Sequence, residues 1–342
     1  MVAAEVGMTE LQHRPTALLV MEERRRDDVY PEAVLKEIGT LVDLREPLTR
    51  ERLAEDPAAL EGVEILLSGW GAPVLDSVLL GHAADLRAVL VAAGSVRPLT
   101  TPEFWARELP IVSAAAANAV PVAEFTLAQV LLGLKQVHRI SREIRERKAY
   151  PPDPRVAGAY RSRVGLLGLG EIGALVASHL RAFDVEALAS DPVVDAARAA
   201  ELGVRLVGLD ELFATCPVVS LHAPLLPETK GLVNGELVAK MGIGATLINT
   251  ARGAVVDEPS VIPVLSGRPD LTAILDVTWP EPPEPDSPLY TLPNVVLTPH
   301  LAGALGAERA RMGELVAAEL RRFVLGEPLQ HAVAPDRAHL RA

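Results

Sequence analysis

Short apolar runs alternate with amphipathic stretches along most of the chain. Ala17-Leu18-Leu19-Val20, Ile65-Leu66-Leu67 and Ala88-Val89-Leu90-Val91 are each bounded by charge, Gly or Pro. Runs of that length without polar alternation fit parallel strands buried on both faces. Between them, 31–38 and 74–82 have helical spacing. The amino-terminal stretch therefore predicts one α/β domain. A second series predicts strands at 164–167, 185–189, 218–221, 246–248, 273–275 and 295–297.

An amphipathic stretch over 121–148 separates the two series. Its first half is apolar (Val122, Phe125, Leu127, Val130, Leu131, Leu134) and its second is charged (Arg139, Arg142, Glu143, Arg145, Glu146, Arg147). One long helix is expected there, bridging domains or facing a partner. Pro121 would sit in its first turn, where a missing N–H costs little. Tyr150-Pro151-Pro152-Asp153-Pro154 would end it. A closing amphipathic helix is expected over 307–325, stopped by Gly326 and Pro328.

Composition narrows the class. The chain has 342 residues, and at about 150 per domain that suggests two domains. Hydrophobic residues make up 49% and charged residues 23%, ample for two cores. A net charge of −12 disfavours nucleic acid and anionic membrane surfaces as partners. The basic run Arg24-Arg25-Arg26 is followed by Asp27-Asp28 and reads as solvated surface. Cys216 stands alone, so neither an intrachain disulfide nor a cysteine zinc site can form, which fits a reducing compartment. It reads as a small buried hydrophobe. Residues 1–14 include Glu5 and Glu10 and no apolar run, so no secretory signal is expected. No stretch is read as reaching the roughly 18 apolar residues of a membrane span. A cytoplasmic protein without a metal site is expected.

Chemistry first shows at Val164-Gly165-Leu166-Leu167-Gly168-Leu169-Gly170-Glu171-Ile172-Gly173, a strand running through GxGxxG into a helical pattern. Gly168 suits a tight turn, Gly170 lets backbone approach a pyrophosphate, and Gly173 lets the helix pack closely. Free N–H groups and the helix dipole then face the phosphates. Asp191 lies 23 positions after Gly168 at a strand end, followed by Pro192. An acidic residue about 20 positions on binds the ribose 2′-hydroxyl of NAD, and its charge disfavours the 2′-phosphate of NADP. No Arg at 192–194 is present to accept that phosphate.

Three later segments each set a charged or titratable residue just past a strand. They are Asn249-Thr250-Ala251-Arg252-Gly253, Asp276-Val277-Thr278-Trp279-Pro280-Glu281-Pro282 and Asn294-Val295-Val296-Leu297-Thr298-Pro299-His300. In an open parallel sheet that edge faces ligand. Together with Asn118-Ala119-Val120-Pro121-Val122-Ala123-Glu124 and Ser220-Leu221-His222-Ala223-Pro224-Leu225-Leu226-Pro227-Glu228-Thr229-Lys230-Gly231, in this order, they make the chain resemble the D-isomer-specific 2-hydroxyacid dehydrogenase family.

The resemblance implies two Rossmann-like, doubly wound parallel-sheet α/β domains. A discontinuous substrate domain would occupy 1–119 and 303–342, and an NAD-binding domain 120–302. The active site would lie in the cleft between them, which closes to expel water. The implied reaction interconverts a 2-oxo acid and a D-2-hydroxy acid with NAD(H). His300 would be the acid and base, because an imidazole titrates near about 6.5. Glu281 would pair with it and orient the ring. Arg252 would grip the substrate carboxylate with fork geometry. Beyond Gly168, Gly170, Gly173 and Asp191, the implied cofactor contacts are Glu171, Ile172, Pro192, His222, Ala223, Pro224, Thr229, Thr250, Ala251, Asp276 and Gly303. Asp276 would lie near the nicotinamide carboxamide. A homodimer built around 121–148 is also implied.

One stretch departs from the family pattern. Where a Gly-rich carboxylate-binding loop is expected, the chain reads Val91-Ala92-Ala93-Gly94-Ser95-Val96-Arg97-Pro98-Leu99-Thr100-Thr101-Pro102-Glu103-Phe104-Trp105. Gly94, Ser95 and Val96 can still offer backbone N–H groups, but the second glycine and the Asp-Asn pair are missing. Pro98 and Pro102 stiffen the chain beyond them. No named substrate therefore carries over. Arg97 either adds a cation favouring a diacid or phosphorylated substrate, or points to solvent. Phe104 and Trp105 either wall an apolar pocket or pack in the core. Cys216-Pro217 replaces an acidic residue common before the next strand, with little catalytic consequence expected.

Alternatives stay open from sequence. A relative acting on formate or phosphite is one, though Glu281 argues against formate because that branch uses glutamine beside its histidine. A non-catalytic, corepressor-like NAD(H) sensor is another. A silent enzyme with an altered substrate loop is a third.

Overall fold

The structure, a computed structural model, describes residues 14–152 and 156–340. The leader expectation for residues 1–13 and part of the expected proline stop, at 153–154, lie outside the described residues. The contacts divide the chain into two units, Met1–Asn118 with Gly306–Ala342, and Ala119–Leu305.

The first unit is built on five parallel strands: β1 (Thr16–Val20), β2 (Asp43–Leu44), β3 (Ile65–Ser68), β4 (Ala88–Val91) and β5 (Ile111–Ser113). Their order is β2-β1-β3-β4-β5, the flavodoxin-like winding. The second unit has seven parallel strands: β6 (Ser162–Leu167), β7 (Val185–Ser190), β8 (Arg205–Leu206), β9 (Val218–Leu221), β10 (Thr246–Asn249), β11 (Thr272–Leu275) and β12 (Val295–Leu297). Their order, β12-β11-β10-β9-β6-β7-β8, reverses between β6 and β9. That reversal is the switch point at which doubly wound sheets bind dinucleotides.

Every expected strand is present. The ones not expected are β2, β5 and β8, and all three are sheet edges of two or three residues. β2 and β8, Asp43-Leu44 and Arg205-Leu206, are half polar, as an edge tolerates, and β5, Ile111–Ser113, is buried but too short to stand out as an apolar run. The central strands read as unbroken apolar runs because both faces are covered. Leu167, Val219, Leu221, Leu247 and Leu275 enter one core, and Val164, Leu166, Val218, Ile248 and Ile274 the other. Alternate residues of a strand point to opposite faces, so each strand feeds two cores. In the first unit Phe104 is fully buried in the core and Trp105 packs against it, which settles both as packing residues.

The single helix expected over 121–148 is two helices, Ala115–Leu134 and Val137–Arg147. Gln136 breaks them with a left-handed backbone, φ 51 and ψ 36. Its buried side chain accepts Arg139 Nε at 2.6 Å and lies where a side chain on Gly244 would go. Tertiary packing sets that break, and it does not interrupt the apolar periodicity. Pro121 sits inside the first helix, not in its opening turn. This helix is also long and apolar enough by length and composition to cross a membrane, contrary to the expectation that no stretch was. Its apolarity has a use within the unit. Ala123, Val130 and Leu134 join the sheet's core, and a Cβ on Gly133 would lie 3.1 Å from Thr246 Oγ1 and Val218 Cγ2.

Two other expected helices shift at their starts. The one expected from 74 begins at Ser77, because Asp76 accepts the N–H groups of Val78 and Leu79 and fixes the cap. The closing helix is Ala310–Leu325 after a short turn at Gly306–Arg309, and it ends on Gly326 with φ 70.

Candidate active site

The chain leaves β6 into a turn that only glycine fits. Gly168 has φ 94, and a Cβ there would lie 2.8 Å from the Ala223 nitrogen. A Cβ on Gly173 would lie 2.1 Å from the Gly168 oxygen, so the helix Glu171–Leu180 starts hard against the turn. At Gly170, the helix cap, nothing lies within 4 Å of a Cβ position. That leaves an open cradle before the first helical amides, the geometry in which phosphate is bound. Glu171 is exposed in the first turn, and Ile172 packs on the core.

Asp191, at the end of β7, ties this turn together. Its Oδ2 accepts Leu169 N–H at 2.8 Å, and its Oδ1 accepts Val193 and Val194 N–H at 2.9 and 3.3 Å. A carboxylate has about four lone-pair sites, so a ribose hydroxyl can still be accepted. Pro192 follows, exposed.

His222, just past β9, is 9% exposed, and neither ring nitrogen has a hydrogen-bond partner. Burial pushes its pKa down to about 4, so the ring is neutral. Its Cβ would lie 3.5 Å from a Cβ on Gly173. Buried polar groups are normally paired, and one left unpaired beside a phosphate-binding turn suits a ligand group. With the Gly170 cradle and the spare acceptor on Asp191, the residues present fit a dinucleotide. Ala223 is buried against Gly168. Thr229 shapes its own segment, since its hydroxyl donates to the Pro224 carbonyl at 2.5 Å and accepts Leu226 N–H at 2.8 Å.

Beyond β10 the side chain of Asn249 closes the turn carrying Arg252. Its Oδ1 accepts Ala251 N–H at 3.0 Å and its Nδ2 donates to the Arg252 carbonyl at 3.1 Å. Arg252 Nη1 donates to the Ala251 carbonyl at 2.6 Å. The Thr250 hydroxyl meets that of Thr126 at 3.2 Å, fixing this turn to the helix Ala115–Leu134. Asn249 is given no role of its own by the sequence, although an Asn at a strand end before a short turn is a recognised turn former.

Beyond β11 and β12, Glu281 Oε1 and His300 Nδ1 are 2.6 Å apart, both on exposed side chains. With Nδ1 bonded to the carboxylate, Nε2 is the nitrogen that remains for a reacting group. His300 has φ 53, a left-handed conformation uncommon outside glycine and costly to hold. Asp276, 2% exposed, supports it. Its carbonyl accepts His300 N–H at 2.9 Å. Its Oδ1 accepts the Thr298 hydroxyl at 2.6 Å and Leu301 N–H at 2.8 Å, and its Oδ2 accepts Ala302 N–H at 2.9 Å. Asp276, expected only as a cofactor contact, anchors the loop from Thr298 to Ala302.

These groups all follow strands of one sheet and share its carboxyl edge. In the other unit, Gly94, Ser95 and Val96 follow β4. The Gly94 carbonyl accepts the Ser113 hydroxyl at 3.1 Å, and Ser95 Oγ accepts Arg97 N–H at 3.3 Å. The N–H groups of Gly94 and Val96 donate to nothing among the described residues. Arg97 is exposed, and its side chain makes no ion pair among the described residues. No group of three or more His, Cys, Asp or Glu placed to hold a metal occurs among the described residues.

Comparison with known proteins bears on the family and the fold. Residues 127–302 match the model of the D-isomer specific 2-hydroxyacid dehydrogenase NAD binding domain. The chain is 36% identical to a D-3-phosphoglycerate dehydrogenase of Mycobacterium bovis over 262 residues, 77% of this chain and 49% of that protein. It spans about half the length of the curated phosphoglycerate dehydrogenases it matches. It is 34% identical to a glyoxylate reductase of Korarchaeum cryptofilum over 257 residues, covering 74% of this chain and 77% of that one. The crystal structure of a D-isomer specific 2-hydroxyacid dehydrogenase from Xanthobacter autotrophicus Py2 in complex with NADPH and MES superposes with a TM-score of 0.75 at 28% identity, covering 94% of this chain and 99% of that chain. With its NAD-binding sheet carrying Arg252, Glu281 and His300 on its carboxyl edge, this chain belongs to the D-isomer-specific 2-hydroxyacid dehydrogenase family.

Proposed function

We propose that the protein is an NAD(H)-dependent oxidoreductase interconverting a 2-oxo acid and its D-2-hydroxy acid. The observation that carries this reading is the 2.6 Å contact between Glu281 and His300, on an NAD-binding sheet that also carries Arg252. Residues 119–305 carry the cofactor in this reading, and the Gly94–Val96 loop belongs to the substrate-binding unit.

When bound, the nicotinamide supplies or takes the hydride at the substrate's carbonyl carbon. The chain's own residues do the rest. Arg252 holds the substrate carboxylate by a two-pronged contact. As the carbonyl carbon gains its hydride, the carbonyl π pair forms an O–H bond with the proton on His300 Nε2. The ring is left neutral, with Nδ1–H still donated to Glu281. Oxidation runs the same proton path backwards. Glu281 fixes the ring's orientation, so proton transfer needs no search over ring rotamers. Within their own unit the N–H groups of Gly94 and Val96, which donate to nothing among the described residues, are donors for an anionic oxygen. Asp191 favours NAD, because its carboxylate would face the 2′-phosphate of NADP; the Xanthobacter relative shows that the family also includes an NADPH binder. The reading extends to a cytoplasmic homodimer, which light scattering would test.

The experiment is NADH oxidation against glyoxylate, hydroxypyruvate, pyruvate, phenylpyruvate and 2-oxoglutarate, beside a His300→Ala variant. Turnover of one acid, lost in the variant, is the expected result. Turnover unaffected by the variant would end this assignment of roles.

A further inference from the structure

The loop that bears Glu281 has no regular structure of its own between β11 and the turn Pro288–Tyr290, so something else must fix it. Trp279, two residues before Glu281, does not anchor it through its indole, which is 60% exposed. The backbone is held instead. Trp279 N–H donates to Glu258 Oε1 at 2.7 Å. The Thr278 hydroxyl donates to the Pro280 carbonyl at 2.8 Å. A Cβ on Gly253 would lie 2.0 Å from the carbonyl carbon and oxygen of Thr278.

Glu258 is the first residue of the helix Glu258–Gly267, which connects β10 to β11, and it is 9% exposed. It therefore sits on the chain that leads from the Arg252 turn and reaches across to the loop that carries Glu281. Burial pushes its carboxyl above the usual carboxylate range, while the Trp279 N–H pulls the other way. A buried carboxyl is retained against that desolvation only where its hydrogen bond matters.

We propose that Glu258 is a positioning residue: by gripping Trp279 N–H, beside the close approach of Gly253 to Thr278, it sets Glu281 against His300. This rests on the roles given above to Glu281 and His300. Glu258 touches no reacting atom. Its effect passes through the placement of the Glu281 carboxylate, where a misplacement of about 1 Å costs up to a hundredfold in rate.

The test compares Glu258→Ala, Glu258→Gln, Glu281→Gln and the double variant Glu258→Ala/Glu281→Gln, with glyoxylate and NADH as the probe. The amide of glutamine still offers an acceptor oxygen to Trp279 N–H, whereas alanine does not. Glu258→Ala is expected to lower kcat about tenfold or more, with the NADH dissociation constant unchanged, and Glu258→Gln to restore most of it. In the Glu281→Gln background, Glu258→Ala is expected to add nothing, because the residue it positions is already gone. An equal loss in both backgrounds overturns the proposal and leaves Glu258 a purely structural group. Loss in Glu281→Gln with none in Glu258→Ala overturns it while sparing the catalytic reading. No loss in Glu281→Gln overturns both. Amide hydrogen exchange at Trp279, read on the unliganded protein, decides the clamp apart from turnover. Faster exchange in Glu258→Ala but not in Glu258→Gln is expected, and unchanged exchange in both overturns it.

Discussion

Asp276 holds His300 in a left-handed backbone conformation. The N–H of His300 donates to the Asp276 carbonyl at 2.9 Å, and the aspartate carboxylate accepts from Thr298, Leu301 and Ala302 on either side of the histidine. A side chain in that conformation persists only when its surroundings over-determine it. Asp276→Asn turns one acceptor into a donor facing either Ala302 N–H or the pair from Thr298 and Leu301. A stability loss of about 1–3 kcal/mol by urea unfolding is expected, together with a fall in kcat. Unchanged stability would mean that the loop is fixed by other contacts.

The glycines of the dinucleotide turn separate folding from binding. A methyl at Gly173 meets the Gly168 oxygen at 2.1 Å, whereas one at Gly170 meets nothing within 4 Å. Gly173→Ala is expected to lower Tm and abolish NADH binding together. Gly170→Ala is expected to leave Tm within a degree or two and to weaken NADH binding about tenfold or more, because the methyl fills the cradle that a pyrophosphate enters. Thermal scanning and NADH fluorescence titration read the two effects.

His222 sets an acid limit on stability. Its folded pKa is pushed down to about 4 by burial, while an unfolded histidine titrates near about 6.5. Between those values the unfolded chain binds the extra proton, so stability is complete above about pH 6.5 and falls as pH drops towards 4. The full loss from this one group is roughly 3 kcal/mol. His222→Gln should flatten that slope in urea unfolding between pH 7 and 4.5. A slope equal to the wild type's would show that the ring is not buried neutral.

Arg97 either recognises a second anionic group of the substrate or is solvated surface. It is exposed, and among the described residues it makes no ion pair and the N–H groups of Gly94 and Val96 before it donate to nothing. If it recognises a second anionic group, Arg97→Ala lowers kcat/KM for 2-oxoglutarate about tenfold relative to glyoxylate, the scale of one lost charge-assisted contact. An unchanged ratio of the two rates would leave Arg97 as solvated surface.

The two parallel-sheet units and the dinucleotide turn are legible along the chain, because strands buried on both faces and a glycine that must lack a Cβ each leave a local mark. The positions of Arg252, Glu281 and His300 beyond the carboxyl ends of β10, β11 and β12 are legible too, since each of those strands is an apolar run. How those residues are held is settled by folding alone. The break at Gln136, the left-handed His300, the orphaned ring of His222, and the grips of Asp276 and Glu258 all depend on groups that are distant in sequence or set by a neighbouring element. A hydrogen bond from Trp279 to Glu258, or a Cβ-free approach of Gly253 to Thr278, has no periodicity to read along the chain. The edge strands β2, β5 and β8 leave no such mark for a related reason, because a neighbouring strand defines each of them more than its own two or three residues do.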